Sequence, residues 1–244
     1  MINILLPMAG KSQFFEPPEY PFPLPLIEIF GKTVIQMVIE NLITIREKKR
    51  FIFCVNENDC TKYHLDNVLN LLTLNNSAII KLRNETKGAA CSALFAIEYI
   101  NNDQPLIIAN SDQIIDENLS NIVANFKEKD ADAGVICFES IHPRWSYIRL
   151  DSHGMVCETA EKRPLSKNAI AGFYYFKQGK LFVDAVMESI RKDAHVDGKF
   201  YIAPTLNELI LKDMKVVYYK IDNVKYHTFY SPQKIEEFKK RIEK

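Results

Sequence analysis

LLPMAGKSQFFEPPEYPFPLPLIEI, from Leu5 to Ile29, decides how the rest of the chain is read. An apolar strand runs into a small-residue turn at Ala9-Gly10, and a proline-punctuated loop then leads to a second apolar segment. INILLPMAG, from Ile2 to Gly10, is a continuous apolar run without alternation, the pattern of a strand buried on both faces. A strand ending in Ala-Gly can turn sharply and bring main-chain N–H groups against a polyphosphate. Yet the whole stretch holds one glycine and one lysine, few for a corner of that kind.

Working outward, GKTVIQMVIENLITI places Val34, Ile35, Val38, Ile39, Leu42 and Ile43 on one helical face. RFIFCVN is a second buried strand, and DCTKYHLDNVLNLL is predicted as a helix with Asp59 as its N-cap. SAIIKL predicts a third strand, GAACSALFAIEYI a small-residue helix, and PLIIANSD a strand ending in a polar cluster. Strand and helix alternate throughout, which argues for a parallel sheet covered on both faces. Ligands in such sheets bind beyond the carboxyl ends of the strands, near a switch in strand order. Gly10 to Phe15, Asn84 to Gly88 and Asn110 to Asp112 are therefore the positions to inspect.

The second half changes character. AGVICFES, SYIRLD, MVCETAEK, AGFYYFK and KVVYYKI are short strands, separated by turns such as DSHG and KQGK. Helices are expected around Leu181 to Lys192 and Ile202 to Lys212, and SPQKIEEFKKRIEK is expected as a charged, largely solvated helix. No linker or internal repeat divides the chain. It reads as one domain over 1–244, whose character changes between 1–115 and 116–244.

Composition narrows the partners. Thirty-one basic residues balance thirty-one acidic ones, so no global field points to nucleic acid or an anionic membrane. No apolar stretch reaches the roughly 18 residues of a membrane span. Five scattered cysteines without CxxC spacing indicate reduced thiols and a cytoplasmic chain, and five histidines show no paired zinc spacing. Oligomeric state is left open.

Three stretches carry chemistry. In NETKGAACSAL, Ala89 and Ala90 follow a turn glycine; they either let a flat base lie on the backbone or let the helix pack closely. In PLIIANSDQIID, apolar residues deliver Asp112 to the end of a buried strand, where its carboxylate can hold Mg²⁺ together with substrate phosphates. In ETAEKRPLSKNAIAGFYYF, Glu161 and Lys162 precede a proline turn, and such a pair can hydrogen-bond a hydroxyl and balance a phosphate.

Taken in order, these stretches resemble the sugar-phosphate nucleotidylyltransferase superfamily, nearest to its bacterial capsule and surface-polysaccharide branch. The resemblance covers nearly the whole chain. The family's P-M-A-G-x-G-S-R-F, F-P-K-P-L-I-E and G-K correspond to PMAGKSQFF, FPLPLIE and GK; its base segment corresponds to TKGAACSAL. Its metal-binding strand end corresponds to ANSDQ, its E-K-x-P and G-x-Y-x-F strand to EKRPLS and AGFYYF, and an acceptor-side helix to FYIAPTLNELI.

The resemblance implies a three-layer α/β/α fold with a mixed, mainly parallel sheet, Rossmann-like and GT-A-like. It implies transfer of NMP from an NTP, CTP first among the pyrimidines, to a phosphorylated small molecule of capsule or surface-glycan biosynthesis, releasing pyrophosphate. Pro7, Met8, Ala9, Gly10, Lys11, Lys87, Gly88, Ala89 and Asn110 would hold the nucleotide, and Asp112 a Mg²⁺. Glu161, Lys162, Gly172 and Asn207 would face the acceptor, with Lys11, Asp112 and Lys162 as the catalytic set. Two cations of the family pattern are missing: its arginine falls on Phe14 and its P-K-P-L lysine on Leu24, while its second loop glycine falls on Ser12. A carboxylate that serves some members as second metal ligand aligns near Thr228. Two other readings stand beside this one: a non-catalytic nucleotide-binding homologue, and a nucleotide-sugar-dependent glycosyltransferase, although NSD replaces the D-x-D the latter would use.

Overall fold

Apolar runs alternating with amphipathic segments put the helices of this chain on the two faces of one sheet. The computed structural model describes residues 1–15 and 18–243; Glu16 and Pro17 of the proline-rich loop, and Lys244, lie outside the described residues. The first half contains β1 (Ile2–Pro7), β2 (Glu28–Ile29), β3 (Lys32–Thr33), α1 (Val34–Ile43), β4 (Lys49–Asn56), α2 (Glu57–Tyr63) and α3 (Leu65–Leu72). It continues through β5 (Ser77–Leu82), α4 (Ala89–Leu94), α5 (Ile97–Ile100), β6 (Leu106–Ala109) and β7 (Gln113–Ile115). The second half contains α6 (Leu119–Glu128), β8 (Ala133–Glu139), β9 (Ser146–Leu150), β10 (Val156–Glu161), β11 (Asn168–Phe176) and α7 (Gly179–Arg191). It ends with α8 (Ile202–Ile210), β12 (Val216–Lys220), β13 (Tyr226–Thr228) and α9 (Pro232–Ile242).

Nine strands form the main sheet, in the order β10-β9-β11-β6-β1-β4-β5, with β8 on β11 and β12 on β8. β1 pairs in parallel with β4 and β6, and β4 with β5, whereas β11 joins β6 antiparallel. The chain steps from β1 outward to β4 and β5, then returns to lay β6 on the other side of β1. That reversal creates a crevice at the carboxyl ends of β1 and β6.

Both sheet faces are sealed. Ile4, Leu6, Phe51 and Phe53 face a cluster with Val34 and Val38 of α1, Phe126 of α6 and Phe238 of α9. Leu5, Ile52, Cys54 and Ile108 face the opposite cluster with Ala90 of α4, Phe182 of α7 and Leu206 of α8. Each such aliphatic or aromatic side chain contributes roughly 1.5–3 kcal/mol on burial, which fixes the three layers. The expected α/β/α architecture with a mixed sheet is the one observed.

Local details differ from expectation. The N-cap after β4 is Asn56, whose side chain accepts from the Asn58 amide, and not Asp59, which lies in the first turn. His64 then adopts φ +54 and breaks the expected single helix into α2 and α3. GAACSALFAIEYI likewise divides at Phe95-Ala96 into α4 and α5. The charged C-terminal helix buries Ile235 and Phe238, because a minority apolar stripe suffices to dock it. The β2–β3 hairpin and the pairing of β7 with β13 went unforeseen, since strands of two or three residues leave no periodic signal.

Candidate active site

A cleft of about 860 Å³ opens at the β1/β6 reversal. Its lining includes Pro7, Met8, Gly10, Lys11, Ala89, Asn110 and Asp112, so seven sequence-predicted residues from three separate stretches converge there. Phe14 and Leu24, the two positions where the resemblance expects cations, line it as well. The expected residues Ala9, Lys87, Gly88, Glu161, Lys162, Gly172 and Asn207 are not part of that lining.

Secondary contacts hold the floor in place. The Asn110 amide donates to the Gly172 carbonyl at 2.9 Å, and the Phe229 amide donates to the Asp112 carbonyl at 2.7 Å. Gln113 is buried; its Nε2 donates to the Ala171 carbonyl, and its Oε1 accepts from the Tyr226 hydroxyl at 2.9 Å. These bonds tie the β6 terminus to β11 and β13, leaving the Asp112 side chain directed at the cleft. The Thr228 hydroxyl donates to the Asp112 carbonyl at 3.4 Å.

Three glycines serve three different ends. Gly88 has φ +109, and a Cβ there would lie 2.3 Å from the Phe200 carbonyl oxygen. Phe200 is zipped to the same turn, donating to the Lys87 carbonyl at 2.7 Å and accepting from the Ala90 amide at 3.1 Å. A glycine is thus required at residue 88 by its positive φ and by the close approach of Phe200. Gly172 has φ +56, and its Cβ would strike the side chains of Asn110 and Gln113. Gly10 does not have a positive φ, and a Cβ there would meet nothing within 4 Å. The sharp turn expected at Gly10 is therefore not what requires a glycine. What its missing side chain leaves is open space in the cleft.

Electrostatics single out Asp112. Burial pushes its carboxyl up to about 6, against the opposing pull of its own main-chain amide and of Arg144. Some solvent contact remains on the cleft side, and among the described residues no salt bridge reaches it. An unneutralised carboxylate at the foot of a cleft fits a cation. No group of three or more His, Cys, Asp and Glu side chains gathers among the described residues, so a Mg²⁺ held at Asp112 would take most of its ligands from outside the protein. That matches the usual Mg²⁺ site, where substrate phosphates and water complete the shell. Lys11 points elsewhere: its Nζ lies 3.4 Å from Glu85, with both side chains about two-thirds exposed.

The expected acceptor residues are more dispersed. Glu161 accepts a hydrogen bond from the Ser146 hydroxyl, and burial pushes its carboxyl above the ordinary carboxylate value. Lys162 is exposed, has φ +54 and lies 5.2 Å from the Tyr201 ring centre; hydrogen bonding to the Tyr201 hydroxyl raises its pKa. Tyr201 itself lines the cleft. Asn207 faces α8's contact with β10. Its Oδ1 accepts from the Thr159 amide at 2.8 Å and its Nδ2 donates to the Thr159 carbonyl at 2.9 Å. Its amide is occupied as an internal clamp.

Sequence reasoning missed the opposite wall. Arg144 lies in the loop between β8 and β9, its guanidinium carbon 3.3 Å from the Tyr230 ring centre and 5.1 Å from that of Trp145. The Phe14 ring centre lies 6.0 Å from that of Tyr230, and Trp145 packs edge-on against Phe138 and Tyr226. β11 is antiparallel to both β6 and β8, so β8 ends at the same edge of the sheet as β6. Inspecting the residues that follow each strand, applied to the second half, would have reached SIHPRW and Arg144.

The Nucleotidyl transferase family profile matches residues 19–223. A UTP–glucose-1-phosphate uridylyltransferase, AglF of Haloferax volcanii, is 21% identical over 240 residues, covering 96% of this chain and 94% of its own. A nucleoside-diphosphate-sugar pyrophosphorylase from Vibrio cholerae superposes with a TM-score of 0.82 at 23% identity, covering 97% of this chain and 99% of the other. A UDP-glucose pyrophosphorylase solved with UDP-glucose gives 0.79 at 17% identity, covering 100% and 99%. These likenesses share the fold described above. The chain belongs to the nucleotidyl transferase family of enzymes.

Proposed function

We propose that the protein transfers a nucleotidyl group from a pyrimidine nucleoside triphosphate to a sugar 1-phosphate and releases pyrophosphate. The observation that carries this reading is the convergence of Gly10, Lys11, Ala89, Asn110 and Asp112 on one cleft at the sheet's reversal point. An acceptor phosphate oxygen attacks the α-phosphorus; a new P–O bond forms as the bond to the bridging oxygen breaks, and pyrophosphate leaves with that electron pair. No covalent intermediate on the protein is needed.

Pro7, Met8 and Gly10 would let the nucleotide lie against the main chain, with Ala9, Lys87, Gly88 and Ala89 beside the base and Asn110 near the ribose side of the floor. Lys11 would reach the phosphates by leaving Glu85, an exposed pair that contributes little. Asp112 would hold Mg²⁺, which supplies charge neutralisation on the reacting phosphates. Glu161 and Gly172 would meet the acceptor beyond Tyr201, and Lys162 would balance its phosphate from the rim. The two halves, 1–115 and 116–244, would divide nucleotide from acceptor within one domain.

AglF is named for UTP and glucose 1-phosphate, and the solved pyrophosphorylase carries UDP-glucose. These favour a uridine nucleotide over the cytidine that the motif resemblance suggests. Likeness to the surface-polysaccharide branch supports a role in capsule or surface-glycan assembly. Five free thiols support a cytoplasmic location. Pyrophosphate release, measured for UTP, dTTP, CTP, GTP and ATP with Mg²⁺ against a panel of sugar 1-phosphates, tests the reading. Turnover with one pyrimidine pair is expected; silence across the panel, with no nucleotide binding by calorimetry, would reject it.

A further inference from the structure

The cleft is short of positive charge. Of its lining residues only Lys11 and Arg144 are cationic, and Asp59 and Asp112 are acidic. A triphosphate brings several more negative charges, so at least one cation must be held in place for it. Lys11 is a poor candidate for that grip. Its ammonium sits on a mobile, solvated stem beside Glu85.

Arg144 has the opposite character. Its side chain is half-buried and its guanidinium carbon lies 3.3 Å from the Tyr230 ring centre. Among the described residues no salt bridge takes up its N–H groups, and its one hydrogen bond there runs from its main-chain amide to His142 Nδ1 at 3.3 Å. The loop that carries it is braced: the Tyr147 hydroxyl donates to the His142 carbonyl at 2.6 Å, and the Lys162 amide donates to the Trp145 carbonyl at 3.0 Å. Contact with the ring restrains the guanidinium while its N–H groups keep no partner among the described residues, which suits bidentate binding of a phosphate.

We propose that Arg144 is the cleft's phosphate-gripping cation, delivered by the β8–β9 loop of the acceptor half and held ready by the Tyr230 ring. The inference rests on the proposed nucleotide cleft, but it concerns the polyphosphate and not the base or acceptor. Phe14, on the β1 side, lies against the same Tyr230 ring. A cation placed at residue 14 would therefore stand in the same cleft, beside the same ring as Arg144.

Arg144→Gln separates charge from packing, because a planar amide can still stack on Tyr230. With magnesium tripolyphosphate as probe in calorimetry, wild type should bind, and Arg144→Gln should weaken binding roughly 10- to 100-fold. Arg144→Lys should recover part of the loss, since it restores the charge but not the fork. Phe14→Arg combined with Arg144→Gln should restore most of it, at an unchanged thermal midpoint. Equal binding by wild type and Arg144→Gln, or no binding by wild type, would overturn the proposal. So would a loss mirrored by a fall in thermal midpoint that neither Arg144→Lys nor Phe14→Arg corrects, which would make Arg144 a brace. A wild type that grips tripolyphosphate but never releases pyrophosphate would remove the transferase reading and leave this one standing. An active wild type whose tripolyphosphate affinity ignores Arg144→Gln would do the reverse.

Discussion

The strand ends of β1 and β6 and the loop after β8 face one cleft, yet they are made by different rules. On the β1/β6 side, small residues and main-chain bonds shape the site, and Asp112 is the one strongly perturbed charge at its floor. On the β8 side, a chain of rings from Phe138 through Trp145 and Tyr226 braces a wall that meets Tyr230 and Arg144. The first kind of site is built by backbone geometry and tolerates little change in shape. The second is built by side-chain packing and tolerates change in shape better than change in charge. The described opening loop offers the cleft one lysine, and under the proposal for Arg144 the facing wall would supply a second cation.

The largest expected effect sharpens the β1/β6 side. Asp112→Asn keeps the shape of the floor and removes its charge, and should lower kcat roughly 10²- to 10³-fold in Mg²⁺-dependent pyrophosphate release. The same change should stabilise the metal-free protein. The folded pKa of about 6 lies above the ordinary value of 3.8, so ionisation costs stability. That cost is absent below about pH 4, grows as pH rises towards 6, and is constant above, on the order of 3 kcal/mol at neutrality. Urea denaturation in chelator should therefore show a gain for the variant at pH 7.5 that fades by pH 4. Undiminished turnover, or a gain indifferent to pH, would remove Asp112 from the site.

Next come the two strained glycines, which test whether the sides of the site differ in kind. Gly88→Ala drives a methyl into the main-chain carbonyl of Phe200, which cannot swing away, and should cost at least about 1–3 kcal/mol of stability. Gly172→Ala meets side-chain ends of Asn110 and Gln113, which can rotate. It should cost less stability but disturb the floor, raising KM for the nucleotide. Denaturation midpoints and KM values measured together would show the two variants trading places if this assignment were wrong.

Much of the β1/β6 side was legible in sequence because its signals are local. INILLPMAG and PLIIANSD are continuous apolar runs, and the residues that follow them must emerge where parallel strands end. The hinge at His64 was not legible, since a non-glycine residue at positive φ answers to tertiary packing and leaves no compositional trace. Nor was the use of Asn207, whose polar side chain on a predicted acceptor helix gives no hint that it faces the sheet. Arg144 differs again: its position after a strand was within reach, but its role was not. Its role depends on Tyr230, far along the chain, and on β8 running parallel to β6, which is set by two antiparallel pairings to β11.

Asn207 yields the smallest effect and the cleanest test of that last distinction. If its amide faced the acceptor, Asn207→Ala would raise the acceptor KM and spare stability. The structure instead gives both ends of the amide to Thr159, whose hydroxyl also donates to the Ala203 carbonyl at 2.7 Å. Replacing it leaves the main-chain amide and carbonyl of Thr159, on the inner side of β10 where α8 packs, without those partners. Each lost bond is worth about 0.5–1.5 kcal/mol net, so a total of about 1–2 kcal/mol is expected, with the acceptor KM unmoved. Hydrogen exchange should localise the change to the Thr159 amide, ahead of any global loosening. A variant with wild-type stability and a raised acceptor KM would return Asn207 to the site and reduce the contrast between clamp and contact to a matter of position.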